Sequence, residues 1–248
     1  MKRLFLFLVS LLLVLSVIGC SSKKEVRPAS FDARQYLQKA NKLIEDEEYD
    51  EARRLLLEVK NRDLTHQYAP IAQLKIAETF VKDEDYENAI NEYERFLRLY
   101  PEHTQAPYAQ YQIAMIYFRQ IEGPERGAGG ARRAMAEFEK LLRLYPRNPY
   151  REAAKLRIKK CKNLIAQYEF LVGSFYYKKD SYRAAIGRFE GLVKDFPEFK
   201  RLDEVLYLLA SSYQELGKTN EAKQYASELI NRFPSSQWAE RAREILKD

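Results

Sequence analysis

The sequence predicts an all-α solenoid of five helix-turn-helix units closed by a C-terminal capping helix, and three observations carry that prediction. Ala52, Ala89, Ala134, Ala185 and Ala222 each open an apolar helical pattern. Four residues later stand Leu56, Tyr93, Phe138, Phe189 and Ala226, and seven later Val59, Phe96, Leu141, Leu192 and Leu229, offsets that keep one helix face apolar. Twelve residues after the last four alanines stand Pro101, Pro146, Pro197 and Pro234, none of which can continue a helix; the first unit has Leu64 there. Twelve residues before four of the alanines come Ala40, Ala77, Gly173 and Ala210, with Ala114 in the same role in the third unit. Small residues at those positions let a second helix cross closely.

At the N-terminus, Met1-Lys2-Arg3 precedes an apolar run from Leu4 to Ile18, broken only by Ser10 and Ser16, and then Gly19-Cys20. A charged start, a short apolar stretch and a small residue at the junction read as a secretory signal over residues 1–19, short of the roughly 20 residues a membrane span needs. Val17-Ile18-Gly19-Cys20 resembles the lipobox of bacterial lipoproteins, and the likeness implies cleavage before Cys20 and acylation of that cysteine. Several acyl chains on one residue anchor a protein firmly, where one chain binds only marginally. Ser21 follows the cysteine, where an aspartate would resemble the inner-membrane retention signal of enteric bacteria; its absence points to the outer membrane. Residues 20–30, polar and proline-containing, read as a lipidated flexible tether, and residues 31–248 as the repeat domain.

Within that domain, "YAPIAQLKIAETF" from Tyr68 and "QAPYAQYQIAMIYF" from Gln105 show the register directly, 37 residues apart. Leu43, Phe80, Tyr117, Tyr176 and Tyr213, three past the small residues, extend the buried stripe, so each unit is two antiparallel helices. The order small residue, aromatic, alanine, aromatic, proline matches the tetratricopeptide signature, with helices slightly longer than its usual period of about 34 requires. Two departures are informative. Eight residues are inserted in the third unit around "IEGPERGAGGA" from Ile121, a loop by its glycines and proline. The fourth unit gains 14 residues between Tyr150 and Lys179 without a proline, which predicts one long helix. After Pro234, Ser235 or Ser236 can cap an amphipathic helix bearing Trp238, Ala242 and Ile245, the terminal cap a solenoid needs.

Little in the chain suits catalysis. The two histidines, His66 and His103, lie 37 residues apart and so occupy the same turn in successive units, where a polar side chain fits and no catalytic partner is positioned. The sequence has no cysteine-histidine cluster, no serine elbow and no phosphate-cradling loop, since "GAGG" from Gly127 follows no strand; no cofactor, metal or enzymatic activity is expected. With Cys20 acylated, Cys161 has no disulfide partner and falls in a helical pattern, so it reads as a buried structural thiol. Removing Lys2 and Arg3 leaves 40 basic against 36 acidic residues, too mild and too mixed a balance for nucleic acid.

A solenoid presents a concave surface lined mainly by the first helix of each unit. In the tetratricopeptide family the inward positions lie six and three before, and one, four and five after, the small residue. In the third unit these are Tyr108, Tyr111, Met115, Phe118 and Arg119; Ile71, Leu74 and Val81 in the second unit and Phe170 and Tyr177 in the fourth extend them. Aromatics with an arginine suit a binding surface for substrate. An aromatic stripe at helical spacing equally suits a core, and both readings stand on the sequence.

The lipobox, the short tether, five extended units, the insertion in the third and the long first helix in the fourth together resemble the BamD family of outer-membrane assembly lipoproteins, over roughly Phe31 to Pro234. Its sharpest motifs here are "AINEYERFLRLYPEHTQAPYAQYQIAMIYF", "YPRNPYREAAKLRI" and "AQYEFLVGSFYYKKDSYRAAIGRFEGLVKDFP". The insertion is shorter than in enteric members, and "LEVKNRDLTHQYAP" lacks their aromatic-proline turn. The resemblance implies a non-enzymatic scaffold whose N-terminal units receive unfolded outer-membrane proteins and whose C-terminal units dock a BamA-like β-barrel insertase, beside other assembly lipoproteins. It also implies that Arg188, in "GRFEG", lies on the docking surface; the helical pattern alone puts it on the solvent side, with Ile186 and Phe189 packing inward. A periplasmic scaffold of cell division or cell-wall coordination would share the solenoid but commonly adds a coiled coil that the sequence lacks, and a cell-wall enzyme would need a catalytic constellation.

Overall fold

The repeated alanines and aromatics cannot be buried by one helix alone, and the chain buries them by stacking helix pairs. The computed structural model describes residues 31–247; the segments expected to be a signal peptide (1–19) and a lipidated tether (20–30), Cys20 included, lie outside them. Among the described residues there are eleven α-helices: α1 (Ala33–Glu45), α2 (Tyr49–Arg62), α3 (Ala69–Lys82), α4 (Tyr86–Leu99), α5 (Ala106–Arg119), α6 (Gly129–Leu144), α7 (Arg151–Lys178), α8 (Tyr182–Asp195), α9 (Leu202–Glu215), α10 (Thr219–Arg232) and α11 (Gln237–Ile245). They pair as α1/α2, α3/α4, α5/α6, α7/α8 and α9/α10; each helix packs on its neighbours in the chain, and α11 closes the stack against α9 and α10. The result is an all-α tetratricopeptide solenoid of five units with a terminal cap.

The alanines that define the register, together with Leu56, Val59, Tyr93, Phe96, Phe138, Leu141, Phe189, Leu192 and Leu229, are almost completely buried. Gly173 is the one glycine at a close crossing, and the reason is visible. A Cβ there would lie 2.5 Å from Cε1 of the buried Phe189 ring.

Each proline stops a second helix by acting on the residue before it. Tyr100, Tyr145, Phe196 and Phe233 end α4, α6, α8 and α10 with φ between −127° and −134°, outside the helical region that a following proline disfavours. The first unit, lacking that proline, uses a carboxylate instead. Asp63 caps the end of α2, is 7% exposed, and accepts hydrogen bonds from the Thr65 amide and hydroxyl and from the amides of Tyr68 (2.5 Å) and Ala69 (2.9 Å) at the start of α3. Burial alone would raise its pKa, but these four donors outweigh burial and hold it below the ordinary value.

Just past α10, Ser236 caps α11 by accepting from the Trp238 amide, and its hydroxyl donates to Asp203. The insertion in the third unit is less of a loop than its glycines suggest. Pro124–Arg126 forms a 3₁₀ turn, Gly127 takes φ +121°, and α6 already begins at Gly129. Gly129 and Gly130 therefore sit in a first helical turn, and Ala131 and Ala134, buried just beyond, hold that turn in place. The extra residues of the fourth unit form part of one uninterrupted helix, α7, of 28 residues.

Candidate functional site

Of the predicted concave residues of the third unit, Tyr108, Tyr111, Met115 and Phe118 of α5 are partly covered, Tyr111 and Phe118 by residues at the start of α7 across a seam between the two helices. Tyr108 donates its hydroxyl to Glu78 (2.8 Å), and its ring meets Tyr93 edge-on. Tyr111 stacks on Tyr150 with centroids 4.4 Å apart, and Phe118 meets Phe138 edge-on. Arg157 of α7 lies over both Tyr111 and Phe118, and Lys160 over Phe118. Met115 packs beside them, half-buried, while Arg119 is exposed. In the neighbouring units Ile71 is exposed, Val81 and Tyr177 are half-buried, and Leu74 and Phe170 are core. The seam thus offers the exposed edges of rings whose other faces are engaged, with cations above them.

A second set of contacts recurs at one place in the repeat: four residues before the small residue of the first helix and three after the alanine of the second. In the second unit the Gln73 side-chain amide, fully buried, donates to the Glu92 carbonyl (3.1 Å) and to its carboxylate. In the third, Gln110 does the same to Glu137, at 3.3 and 2.7 Å. In the fourth unit these two positions are Glu169 and Arg188, so the charge is reversed. Glu169 is 9% exposed and receives Arg188 Nη1 at 3.0 Å on one oxygen and Arg132 Nη2, from α6, at 2.6 Å on the other. The sequence pattern put Arg188 on a free solvent face; the structure instead ties its guanidinium to a buried carboxylate, with the side chain 42% exposed, while Ile186 and Phe189 are buried as the pattern requires.

An open groove of about 420 Å³ lies over this cluster. Its walls are Arg132, Arg188 and the exposed Arg183, and α8 contributes the small residues Ala184, Gly187 and Gly191. Small residues let a partner approach the helix backbone, and guanidinium forks on either side present hydrogen-bond donors suited to a carboxylate. Arg183 forms no ion pair among the described residues. The register that exposes the Glu169–Arg188 pair was present in the sequence: comparing the Gln73–Glu92 and Gln110–Glu137 positions with the fourth unit is the signal that finds it.

Other groups are structural. His66 sits at φ +55° in the turn before α3, and His103, in the turn before α5, accepts from the Gln105 amide and meets Phe96 edge-on. Cys161 is buried, and burial lifts its thiol to about 11. Among the described residues no group of three or more His, Cys, Asp or Glu is placed to hold a metal, and no helix is long and apolar enough to cross a membrane.

The family described as "YfiO: Outer membrane lipoprotein" matches residues 30–228. The chain is similar to the outer membrane protein assembly factor BamD of Rickettsia prowazekii, 28% identical over 243 residues that cover 97% of each chain. It is similar to the protein of the same name from Caulobacter vibrioides, 27% identical over 243 residues, covering 96% of this chain and 79% of that one. A third relative of that name, from Vibrio cholerae, is 29% identical over 220 residues, covering 84% of this chain and 91% of its own.

Proposed function

The chain belongs to the YfiO family of outer membrane lipoproteins, and from that premise we propose that it is a non-enzymatic scaffold of outer-membrane β-barrel assembly. Its relatives are named for outer membrane protein assembly, which supports the general role. In this reading Cys20 carries the lipid anchor and the repeat domain works at the periplasmic face of the outer membrane. The α5–α7 seam, with Tyr108, Tyr111, Met115, Phe118 and Arg119, takes segments of unfolded outer-membrane proteins. The groove over Arg188 docks a folded BamA-like insertase, and other assembly lipoproteins complete the machinery.

The observation that carries the docking assignment is the arginine-walled groove on α8, whose floor is small enough for close approach and whose guanidiniums retain free donors. Arg183→Glu is the cleanest test, because Arg183 is exposed and its reversal leaves Glu169 paired. Reversing a charge at an interface sets like charges against each other, which costs several kcal/mol of binding. The full-length lipoprotein, purified from native membranes in detergent, should lose co-purifying insertase on this substitution while keeping its thermal midpoint. Undiminished co-purification would remove the groove from the docking surface.

A further inference from the structure

A second groove, of about 610 Å³, runs along the N-terminal half of α7 and is used by nothing described so far. Over residues 151–163 the helix carries Arg151, Lys155, Arg157, Lys159, Lys160 and Lys162 against Glu152 alone. In the middle of that basic run Leu156 is 70% exposed. It shares the groove with Phe196 and Pro197, from the turn that ends α8.

The ammonium groups are only weakly engaged within the chain. Lys155 reaches Glu152 one turn back on its own helix, and Lys159 approaches Glu198 at 3.7 Å with both side chains more than three-quarters exposed. Exposed pairs of this kind contribute about 0–1 kcal/mol and leave both members available. Lys162 and Lys200, on opposite walls, form no ion pair among the described residues. Leu156 belongs to none of the buried clusters of the solenoid, and with Phe196 and Pro197 it makes an apolar strip rimmed by lysines, an arrangement that marks interaction sites.

We propose that this groove docks an extended acidic segment of a protein partner, with one bulky apolar side chain seated beside Leu156 and carboxylates on the flanking lysines. Charge argues against the tether of this same chain, which carries Lys23, Lys24 and Arg27 against Glu25. The two-walled shape disfavours a flat lipid surface, which would meet only the rim, whereas a single extended chain can lie in the gap along the α7 lysines. A chain entering the gap between the walls meets lysines along α7 and places its apolar residue against Leu156, Phe196 and Pro197.

The test uses the full-length protein in detergent and three soluble probes: a short fluorescein-labelled peptide of Asp and Glu around a central Leu-Phe, the same peptide with Lys for every acidic residue, and glycerophosphoglycerol, the headgroup of phosphatidylglycerol without its acyl chains. Wild type should bind the acidic peptide and not its basic counterpart, and the affinity should fall as salt is raised, since the rim charges are exposed. Leu156→Ser and the double substitution Lys159→Glu/Lys162→Glu, all at exposed positions, should each weaken the acidic peptide about tenfold or more with circular dichroism unchanged. The variants avoid Asp195 and Phe196, which this groove shares with the one over Arg188, so the outcome is independent of the docking assignment there. Equal binding by wild type and both variants, or no preference for the acidic peptide, would overturn the proposal. Binding of glycerophosphoglycerol by wild type that is lost in the variants, with the peptide unaffected, would overturn it in favour of a headgroup site.

Discussion

The second and third units join their paired helices with a neutral donor and an acid, Gln73 to Glu92 and Gln110 to Glu137, whereas the fourth places the acid on its first helix and an arginine on its second. The difference matters because of burial. In the earlier units the buried partner is an uncharged amide, and the carboxylate sits further out. In the fourth the carboxylate itself is buried, and an anion there needs more than one donor, so α6 supplies Arg132 as well. Glu169 therefore ties the third unit to the fourth, an inter-unit contact that Gln73 and Gln110 do not make, and it holds two guanidiniums at the edge of the α8 groove. A change that looks like a swap of sign within a repeat thus links two units and sets the surface chemistry of one side of the molecule.

The comparison can be broken by exchanging the two arrangements. Arg188→Glu places a second carboxylate against Glu169, and removing one partner of a buried pair typically costs about 3–5 kcal/mol. The lower end is expected here, because Arg132 remains and Arg188 is partly solvated. The double substitution Glu169→Gln/Arg188→Glu recreates the amide–carboxylate pair of the second and third units and should recover most of that loss. Urea denaturation of the single and double variants measures the coupling directly. If the double variant is no more stable than Arg188→Glu alone, the two positions are not equivalent between units.

The helix pairs, the long α7 and the terminal cap were legible in the sequence because apolar spacing and prolines act locally, and each unit repeats the same local rule. The Arg188 pairing was not legible from α8 alone. Its partner lies 19 residues upstream on another helix and its competitor, Arg132, on a third, so a single helical wheel shows only an arginine between packing positions. The extent of the glycine segment was misread for the opposite reason: local propensity says loop, while burial of Ala131 and Ala134 draws Gly129 and Gly130 into α6. For the seam residues, spacing gives the face and not the depth. Tyr111 and Phe118 are half-covered because Tyr150, just before α7, and Arg157 within it pack over them.

A smaller effect separates the first unit from the others. Its second helix ends on Asp63 where the later units use an aromatic residue and proline, so the first junction rests on a buried carboxylate. The folded pKa of Asp63 is depressed, hence its contribution is present above the ordinary aspartate value of 3.8 and is lost as pH falls through the lower folded value. Asp63→Asn should cost about 2 kcal/mol at neutral pH, the scale of hydrogen bonds to a charged acceptor, and the difference from wild type should shrink on acidification. Thermal midpoints taken across the acid range check the sign. A gap between the two proteins that is constant with pH would mean that the charge of Asp63 is not what holds the junction.

The smallest expected effect lies in the turns inside the units, where four of the five share a frame and differ in one residue. The amides of Glu48, Asp85, Ser181 and Lys218 donate to the carbonyls of Leu43, Phe80, Tyr176 and Tyr213, and the residue just before each donor is left-handed: Glu47, Glu84, Asp180 and Gly217. Only the fifth unit uses glycine, which adopts that conformation without a Cβ clash. A non-glycine residue there carries roughly 1–2 kcal/mol of backbone strain, while glycine gives back about 0.5–1 kcal/mol through the freedom it adds to the unfolded chain. The difference predicts that Glu84→Gly stabilises the protein by up to about 1 kcal/mol and that Gly217→Ala destabilises it by a similar amount. Asp180→Gly should gain less, because the Asp180 carboxylate accepts from the Tyr182 hydroxyl and that bond would be lost. Chemical denaturation of the three variants resolves these shifts. Should Glu84→Gly destabilise while Gly217→Ala is neutral, the turns are held by their side chains and not by the backbone frame they share.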